Sequence, residues 1–245
     1  MTDVVLLPGI IAPAAIRYAP LLHALGYRVH ALAKELEVYA ADAPAPDYSI
    51  RMEVDGVARA ADAENMDRFH LYGHSGGGAI ALAFAAVYPD RLQSLALDEP
   101  AVDFLSAGDA EYWHDIKRAT RLQEPEATRA FLRLQLASDE PLPSPLDGPP
   151  PAWLKKRPAG IRAFVAAAES HHVDLAAYRD FHAPVYYSYG TRSHPRWATM
   201  KDRLAGVFED FRAECYQGLH HLNTSHQTEP DRVAAALTNL WASAR

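Results

Sequence analysis

One short segment of the chain contains a candidate nucleophile with glycines on both sides of it. Gly73-His74-Ser75-Gly76-Gly77 matches the pattern G-x-S-x-G, in which a serine occupies a strained turn between a strand and a helix. Side chains two positions before and after the serine would collide with neighbouring chain, so glycine is needed there. Residues 69–72 are largely apolar, as in a buried parallel strand, and residues 79–87 are apolar on every side, as in a buried helix. The pattern predicts that Ser75 is a nucleophile.

A serine nucleophile needs a base, and the C-terminal part of the chain offers a histidine for that role. His221 follows the last predicted strand, residues 211–216, so its loop can reach the end of the strand that precedes Ser75. His220 and His226 are the competing histidines. The N-terminus of the helix behind Ser75 would face the negative charge that develops during attack.

The elements that must position these residues alternate between strand and helix. Strands are predicted at residues 4–7, 27–32, 69–72, 92–97, 184–189 and 211–216. Helices are predicted to end at residue 25 and to cover residues 49–65, 79–87, 197–208 and 231–243. This alternation predicts the α/β class, with a mostly parallel central sheet that is flanked by helices.

The alternation stops between residues 102 and 183, where only helices and proline-rich linkers are predicted. We therefore expect a core of residues 1–101 and 184–245, with residues 102–183 inserted as a helical cap, or lid, over Ser75. The large apolar residues of this insertion are Phe104, Tyr112, Trp113, Leu132, Trp153 and Phe164. An apolar lid predicts a small, largely apolar substrate in a site that is shielded from water.

Composition narrows the class of protein. The chain has 245 residues, of which 49% are hydrophobic and 22% charged, a profile typical of soluble globular proteins. A net charge of −7 argues against binding to nucleic acid or to an anionic membrane, and no apolar run approaches membrane-spanning length. The single cysteine, Cys215, excludes an internal disulfide, and the N-terminus lacks the basic leader of a signal peptide. We expect a cytoplasmic protein.

No cofactor or metal is expected from the sequence. The histidines, including His171 and His172, lack H-E-x-x-H or a comparable ligand spacing. A phosphate-binding loop is also not predicted, because no G-x-x-x-x-G-K-[ST] is present. The expected partner is a small-molecule substrate, and the sequence carries no signal for an oligomeric state.

With these features the chain resembles the α/β-hydrolase family over nearly its full length. Pro8-Gly9 resembles the family's His-Gly turn, whose following amide helps to form the oxyanion hole. The resemblance implies that the amides of Ile10 and Gly76 form this hole. Proline replaces the usual histidine at position 8, which leaves the backbone role intact.

The same resemblance distinguishes among the histidines. Gly218-Leu219-His220-His221 resembles the family's Gly-x-Gly-His loop, and residues 229–233 resemble the Glu-x-Pro entry to the last helix. This correspondence places His221, rather than His220, in the catalytic position.

The sequence departs from the family pattern at the position of the catalytic acid. The family most often carries Asp in the turn after the strand at residues 184–189, where this chain has Ser193. A minority of members, including haloalkane dehalogenases with a glutamate, place the acid after the strand that follows the nucleophile helix. Asp98-Glu99-Pro100 occupies that place here, and the register favours Glu99, with Asp98 as the alternative acid. A Ser-His dyad without an acid is the third possibility.

The resemblance implies acyl transfer by a serine hydrolase, most simply a carboxylesterase. Ser75 would attack an ester, thioester or activated carbonyl, and water would release the acyl group. Because the nucleophile is not Asp, the aspartate-ester chemistry of dehalogenases and epoxide hydrolases is not expected. A lactonase, a C–C bond hydrolase or a cofactor-free haloperoxidase would use the same residues. A non-catalytic ligand-binding member of the fold is the alternative from another class.

Overall fold

Six strands form a single sheet in a computed structural model that describes residues 1–102, 107–143, 151–171 and 174–244. The strands are β1 (Thr2–Leu7), β2 (Val29–Ala33), β3 (Phe69–His74), β4 (Leu92–Asp98), β5 (Val185–Gly190) and β6 (Phe211–Tyr216). Their order is β2-β1-β3-β4-β5-β6, and every neighbouring pair is parallel. The predicted parallel sheet is confirmed, and the C-terminal ends of all six strands lie at one edge.

Helices cover both faces of the sheet. They are α1 (Ala14–Leu25), α2 (Ile50–Ala63), α3 (Gly76–Val87), α4 (Ala107–Thr120), α5 (Glu126–Arg133), α6 (Arg157–Glu169), α7 (Arg196–Ala205), α8 (Ser225–Thr228) and α9 (Pro230–Ser243). The buried side chains of α1 and α9 share one apolar core, whereas those of α2, α3 and α7 belong to the core on the opposite face.

Strand β1 shows why the sheet needs a cover on both sides. Val5 and Leu7 belong to the core beneath α3, and Val4 and Leu6 belong to the core beneath α1. All four side chains are inaccessible to solvent. A continuous apolar run of this kind is stable only when helices pack on both faces of the strand.

The second strand begins later than the sequence predicts. Gly26 ends α1 with φ of 67°, a left-handed conformation that glycine adopts without strain. Residues Gly26–Arg28 then form a short 3₁₀ turn, so β2 starts at Val29 rather than at Tyr27. The turn redirects the chain from α1 into the sheet, and Tyr27 remains exposed.

The described α-helices between β4 and β5 are α4, α5 and α6. Tyr112 of α4, Phe131 of α5 and Phe164 of α6 belong to the same apolar core as α3. A Cβ atom placed on Gly76, at the start of α3, would lie 3.1 Å from the ring of Phe164. Helix α6 therefore packs directly against the segment that follows Ser75. Phe104 of the expected lid lies outside the described residues.

Two further features of the described part of the chain bear on the sequence predictions. No helix in it is long and apolar enough to cross a membrane. Cys215 lies in β6, within the last predicted strand, and its side chain is half-buried.

Candidate active site

Ser75 occupies a strained turn between β3 and α3. Its backbone has φ of 53° and ψ of −119°, a conformation that residues other than glycine rarely adopt. Two hydrogen bonds hold it there: the amide of Ser75 donates to the carbonyl oxygen of Asp98 at 2.9 Å, and the amide of Ala101 donates to the carbonyl oxygen of Ser75 at 2.9 Å. The surrounding backbone thus maintains the strain, and the hydroxyl stands at the C-terminal edge of the sheet.

Side chains at the glycine positions on either side of Ser75 would clash with the backbone. A Cβ atom on Gly73 would lie 2.4 Å from the carbonyl oxygen of Gly77. A Cβ atom on Gly77 would lie 2.2 Å from the carbonyl oxygen of Leu7 in β1. Real Cβ atoms do not approach backbone oxygen this closely, so α3 can pack against the end of β1 only with glycine at these positions.

His221 lies against the hydroxyl of Ser75. Its Nε2 atom is 2.9 Å from Ser75 Oγ, and both side chains are buried. The indole of Trp197, from α7, stacks on the imidazole with a centroid separation of 5.1 Å and an interplanar angle of 6°. The ring of His74 also packs against it, at 4.8 Å. These contacts fix the plane of the imidazole, so that Nε2 faces the serine and Nδ1 faces away.

Glu99 contacts the second nitrogen of this imidazole. Its Oε2 atom lies 2.6 Å from His221 Nδ1, and its Oε1 atom accepts a hydrogen bond from the amide of Gly190 at 2.8 Å. Burial raises the pKa of the Glu99 carboxyl, and the nearby Asp98 adds to the rise, while the hydrogen bond to His221 opposes it. An ionised Glu99 would hold the proton of the imidazole on Nδ1 and leave Nε2 free to accept.

Asp98, the alternative acid, lies in a separate group of buried polar side chains. Its Oδ2 atom is 3.1 Å from Nδ1 of His226, and its Oδ1 atom accepts a hydrogen bond from Ser188 Oγ at 2.8 Å. Strand β4 ends at Asp98, and Glu99 follows with φ of 46°, so the backbone turns between the two residues and their side chains reach different histidines. Burial lowers the pKa of His226 even though Asp98 favours its charged form.

The position at which the family usually carries its acid is adjacent to Glu99. The hydroxyl of Ser193 is buried, makes no hydrogen bond of normal geometry within the described residues, and lies beside the Glu99 carboxyl, where it favours the charged form. The two possible acid positions, after β4 and after β5, therefore converge on one place in space.

The two predicted oxyanion amides are neighbours. A Cβ atom on Gly76 would lie 2.7 Å from Cγ2 of Ile10. Neither the amide of Ile10 nor that of Gly76 donates a hydrogen bond within the described part of the chain. The hydroxyl of Tyr39 donates to the carbonyl oxygen of Ile10 at 2.5 Å and so fixes the orientation of this peptide. Two unpaired donors beside Ser75 are suited to an oxygen that gains negative charge.

A sequence model of the alpha/beta hydrolase fold family matches residues 4–133, more than half of the chain. The chain belongs to the α/β-hydrolase fold family. The match contains the strained turn at Ser75 and the loop of Ile10, which are the parts of the family pattern described above. Among curated protein sequences, none matches this chain.

Solved structures share this family fold at low sequence identity. A thermophilic esterase from Thermogutta terrifontis has a TM-score of 0.76 and 16% identity, over 100% of this chain and 90% of the esterase. Naproxen esterase, carboxylesterase NP, from Bacillus subtilis has a TM-score of 0.66 and 18% identity, over 98% of this chain and 83% of that protein. A bacterial membrane phospholipase A has a TM-score of 0.69 and 21% identity, over 100% of this chain and 79% of the phospholipase.

The competing histidines have other partners. Nδ1 of His220 accepts hydrogen bonds from the amides of Leu222 and Asn223, both at 3.2 Å, and burial lowers the pKa of His220. His226 faces Asp98, as described above. His172 lies outside the described residues. Within the described ranges, no group of three or more His, Cys, Asp or Glu side chains could hold a metal ion.

Several residues around the α/β-hydrolase site were not predicted from the sequence. Trp197 packs on His221 and Tyr39 orients Ile10, and the place of both beside the site depends on how the sheet is assembled. His74 lies in the Ser75 motif itself, but its packing on His221 depends on where the loop after β6 lies. Arg17 is different, because Ala14, Arg17, Tyr18 and Leu21 form the buried face of α1. An arginine at helical spacing among apolar residues is a signal that the sequence itself contains.

Proposed function

We propose that the protein is a serine hydrolase that cleaves an ester or related acyl bond of a small molecule. The observation that carries the proposal is the pair of consecutive short contacts from Ser75 Oγ to His221 Nε2, at 2.9 Å, and from His221 Nδ1 to Glu99 Oε2, at 2.6 Å. A nucleophile, a base and an acid in this order are what acyl transfer by serine requires.

In the proposed first step, His221 removes the proton of Ser75 while the serine oxygen attacks the substrate carbonyl. Glu99 keeps the imidazole in the tautomer that accepts at Nε2, and it stabilises the imidazolium that results. His221 then donates this proton to the leaving group, which yields an alcohol and an acyl-enzyme on Ser75.

In the second step, water takes the place of the leaving group. His221 removes a proton from the water, which attacks the acyl-enzyme and releases the acid with the Ser75 hydroxyl restored. In both steps the carbonyl oxygen becomes negatively charged. The amides of Ile10 and Gly76 would donate to it, and the N-terminus of α3 adds its partial positive charge.

The walls of the site support a small substrate. The cavity beside Ser75 and His221 is lined by Ile10, Ile11, Phe131 and Leu222, among others, and its volume is about 10 Å³. This is room for a single water molecule. Binding of an acyl group therefore requires displacement of side chains such as Phe131 in α5. The apolar part of these walls suits the hydrocarbon part of an ester, and two solved esterases share the fold.

The test combines covalent labelling with a substrate screen. We expect a fluorophosphonate to label Ser75, and p-nitrophenyl esters of short chains to be hydrolysed faster than those of long chains. Ser75→Ala should abolish labelling and lower kcat by about 10³-fold or more. Ser94→Ala is the matched control, because Ser94 is also buried but bonds to His70 instead of a member of the site.

Two results would contradict the proposal. One is a folded wild-type protein that neither reacts with the fluorophosphonate nor hydrolyses any ester above the uncatalysed rate; this would favour a ligand-binding member of the fold. The other is labelling that persists in Ser75→Ala, which would place the nucleophile elsewhere.

A further inference from the structure

Arg17 is a buried cation next to the proposed nucleophile. It lies in the first half of α1, the helix that follows the loop of Ile10, and its side chain is 6% exposed. The cavity that contains Ser75 and His221 is also lined by Arg17. Among the described residues that line this cavity, Arg17 alone carries a permanent charge. Arg17 thus shares one small cavity with the proposed nucleophile and base.

The guanidinium of Arg17 has no carboxylate partner. Nη1 donates to Gln227 Oε1 at 2.7 Å and more weakly to Thr224 Oγ1 at 3.5 Å, and both acceptors are neutral. Nε has no hydrogen-bond partner, and no side-chain carboxylate of the described residues lies within ion-pair distance. A charge that is buried without a partner costs several kcal/mol of folding free energy, so chains rarely keep one without a use.

The nearest acidic group does not fulfil this need. Asp98 favours the charged form of Arg17 only at longer range, while burial lowers the pKa of Arg17. The carboxylate of Asp98 is already bonded to His226 and Ser188. Neutral Gln227 and Thr224 therefore orient the guanidinium without neutralising it.

We propose that Arg17 binds a carboxylate of the substrate, so that the protein acts on esters whose acyl group carries a free acid close to the scissile carbonyl. This inference rests on the proposed hydrolase function and narrows it. The bonds of Nη1 to Gln227 and Thr224 leave Nε and Nη2 available as a parallel pair of donors. Such a pair matches the two oxygens of a carboxylate.

The arrangement also explains why a carboxylate fits better than a phosphate. A single guanidinium supplies one bidentate contact and one positive charge, which balances a monoanion. The other described walls are apolar, apart from Ser75 and the histidines, so they would leave the remaining oxygens of a phosphate unbonded. Ile10, Ile11, Phe131 and Leu222 instead suit the short methylene chain that joins the acid to the ester.

The test compares two esters of the same shape. Phenyl hydrogen succinate carries the carboxylate, and phenyl 4-methylpentanoate carries a neutral isopropyl group in its place. We expect the wild type to favour the acid ester by about 10- to 100-fold in kcat/KM, the effect of one charge-assisted hydrogen-bond pair. Arg17→Met should bring this ratio close to one, and Arg17→Lys should give an intermediate ratio because it keeps the charge but loses the fork.

The ratio separates recognition from a structural role. If Arg17 only stabilised the fold, Arg17→Met would slow both esters by the same factor and leave the ratio at its wild-type value, which would overturn the inference. Arg157→Met is the matched control, since Arg157 is also buried but pairs with Glu35 outside this cavity; its ratio should equal that of the wild type.

A binding measurement keeps the test independent of catalysis and of the folding of Arg17→Met. Calorimetric titration of Ser75→Ala with the two esters should show tighter binding of phenyl hydrogen succinate. Equal or weaker binding of the acid ester, or a wild-type ratio of one or less, would refute the role of Arg17 while the serine hydrolase proposal stood. If Ser75→Ala binds the acid ester more tightly but the wild type neither reacts with a fluorophosphonate nor hydrolyses an ester, the anion site stands and the serine hydrolase proposal is refuted.

Discussion

Replacement of Glu99 by glutamine tests which of two adjacent carboxylates orients the base. The glutamine carbonyl can still accept from the amide of Gly190, so the side chain should stay in place. Its amide group would then donate to Nδ1 of His221, across what is now a 2.6 Å contact. The imidazole would have to carry its proton on Nε2, where it could no longer accept the proton of Ser75.

The size of the effect follows from this change of tautomer. In a serine triad, an acid-to-amide replacement that preserves the geometry lowers kcat by about 10⁴-fold. We therefore expect kcat of Glu99→Gln to fall by about 10²- to 10⁴-fold, which is about 3 to 5 kcal/mol of activation free energy. The rate of fluorophosphonate labelling at Ser75 should fall in parallel, since it depends on the same proton transfer.

Asp98→Asn provides the contrast because Asp98 contacts His226 and not His221. Its replacement weakens buried hydrogen bonds from His226 and Ser188 to a carboxylate, so we expect the free energy of unfolding to drop by about 1.5 to 3 kcal/mol. The folded fraction should keep kcat within a few-fold of the wild type. Activity and urea unfolding are measured on both variants. Equal losses of kcat in both, or a loss confined to Asp98→Asn, would show that Glu99 is not the acid.

Three other perturbations test the packing around the site. Gly77→Ala should lower the free energy of unfolding by at least about 2 kcal/mol, because its Cβ would lie 2.2 Å from a backbone oxygen. Gly206→Ala is the control and should not lower it, because its Cβ would lie 3.4 Å from the nearest atom. Equal urea midpoints for the two variants would contradict the steric argument. Burial holds the pKa of His74 well below its usual value, so the unfolded chain takes up a proton below pH 6.5 that the folded chain does not. The free energy of unfolding should therefore decrease as the pH is lowered. His74→Phe should reduce the decrease between pH 7.0 and pH 5.5 by about 1.2 kcal/mol. If the pH dependence of the free energy of unfolding is unchanged in His74→Phe, His74 is protonated in the folded protein. Tyr39→Phe should lower kcat about tenfold with little effect on KM, because the peptide of Ile10 loses its anchor; a pure KM effect would place Tyr39 in substrate binding instead.

Local sequence determined the turn at Ser75 and the strands around it. Strand, turn and helix follow one another within Phe69–Val87, and the glycines that the turn needs clash with backbone if they gain a side chain. Apolar runs bounded by Pro and Gly likewise predicted all six strands to within a few residues. These features depend on short-range sterics and on burial of single segments, which a sequence expresses directly.

Only the tertiary structure decided which side chains meet. Asp98 and Glu99 are adjacent in sequence, and the family resemblance favoured Glu99 without excluding Asp98. The turn of the backbone after β4, where Glu99 has φ of 46°, directs Asp98 to His226 and Glu99 to His221. The position of Trp197 over His221 and the presence of Arg17 in the Ser75 cavity depend in turn on the strand order and on helix packing across the sheet. Contacts between residues that are distant in the sequence follow from the assembled sheet, because no local pattern of residues specifies them.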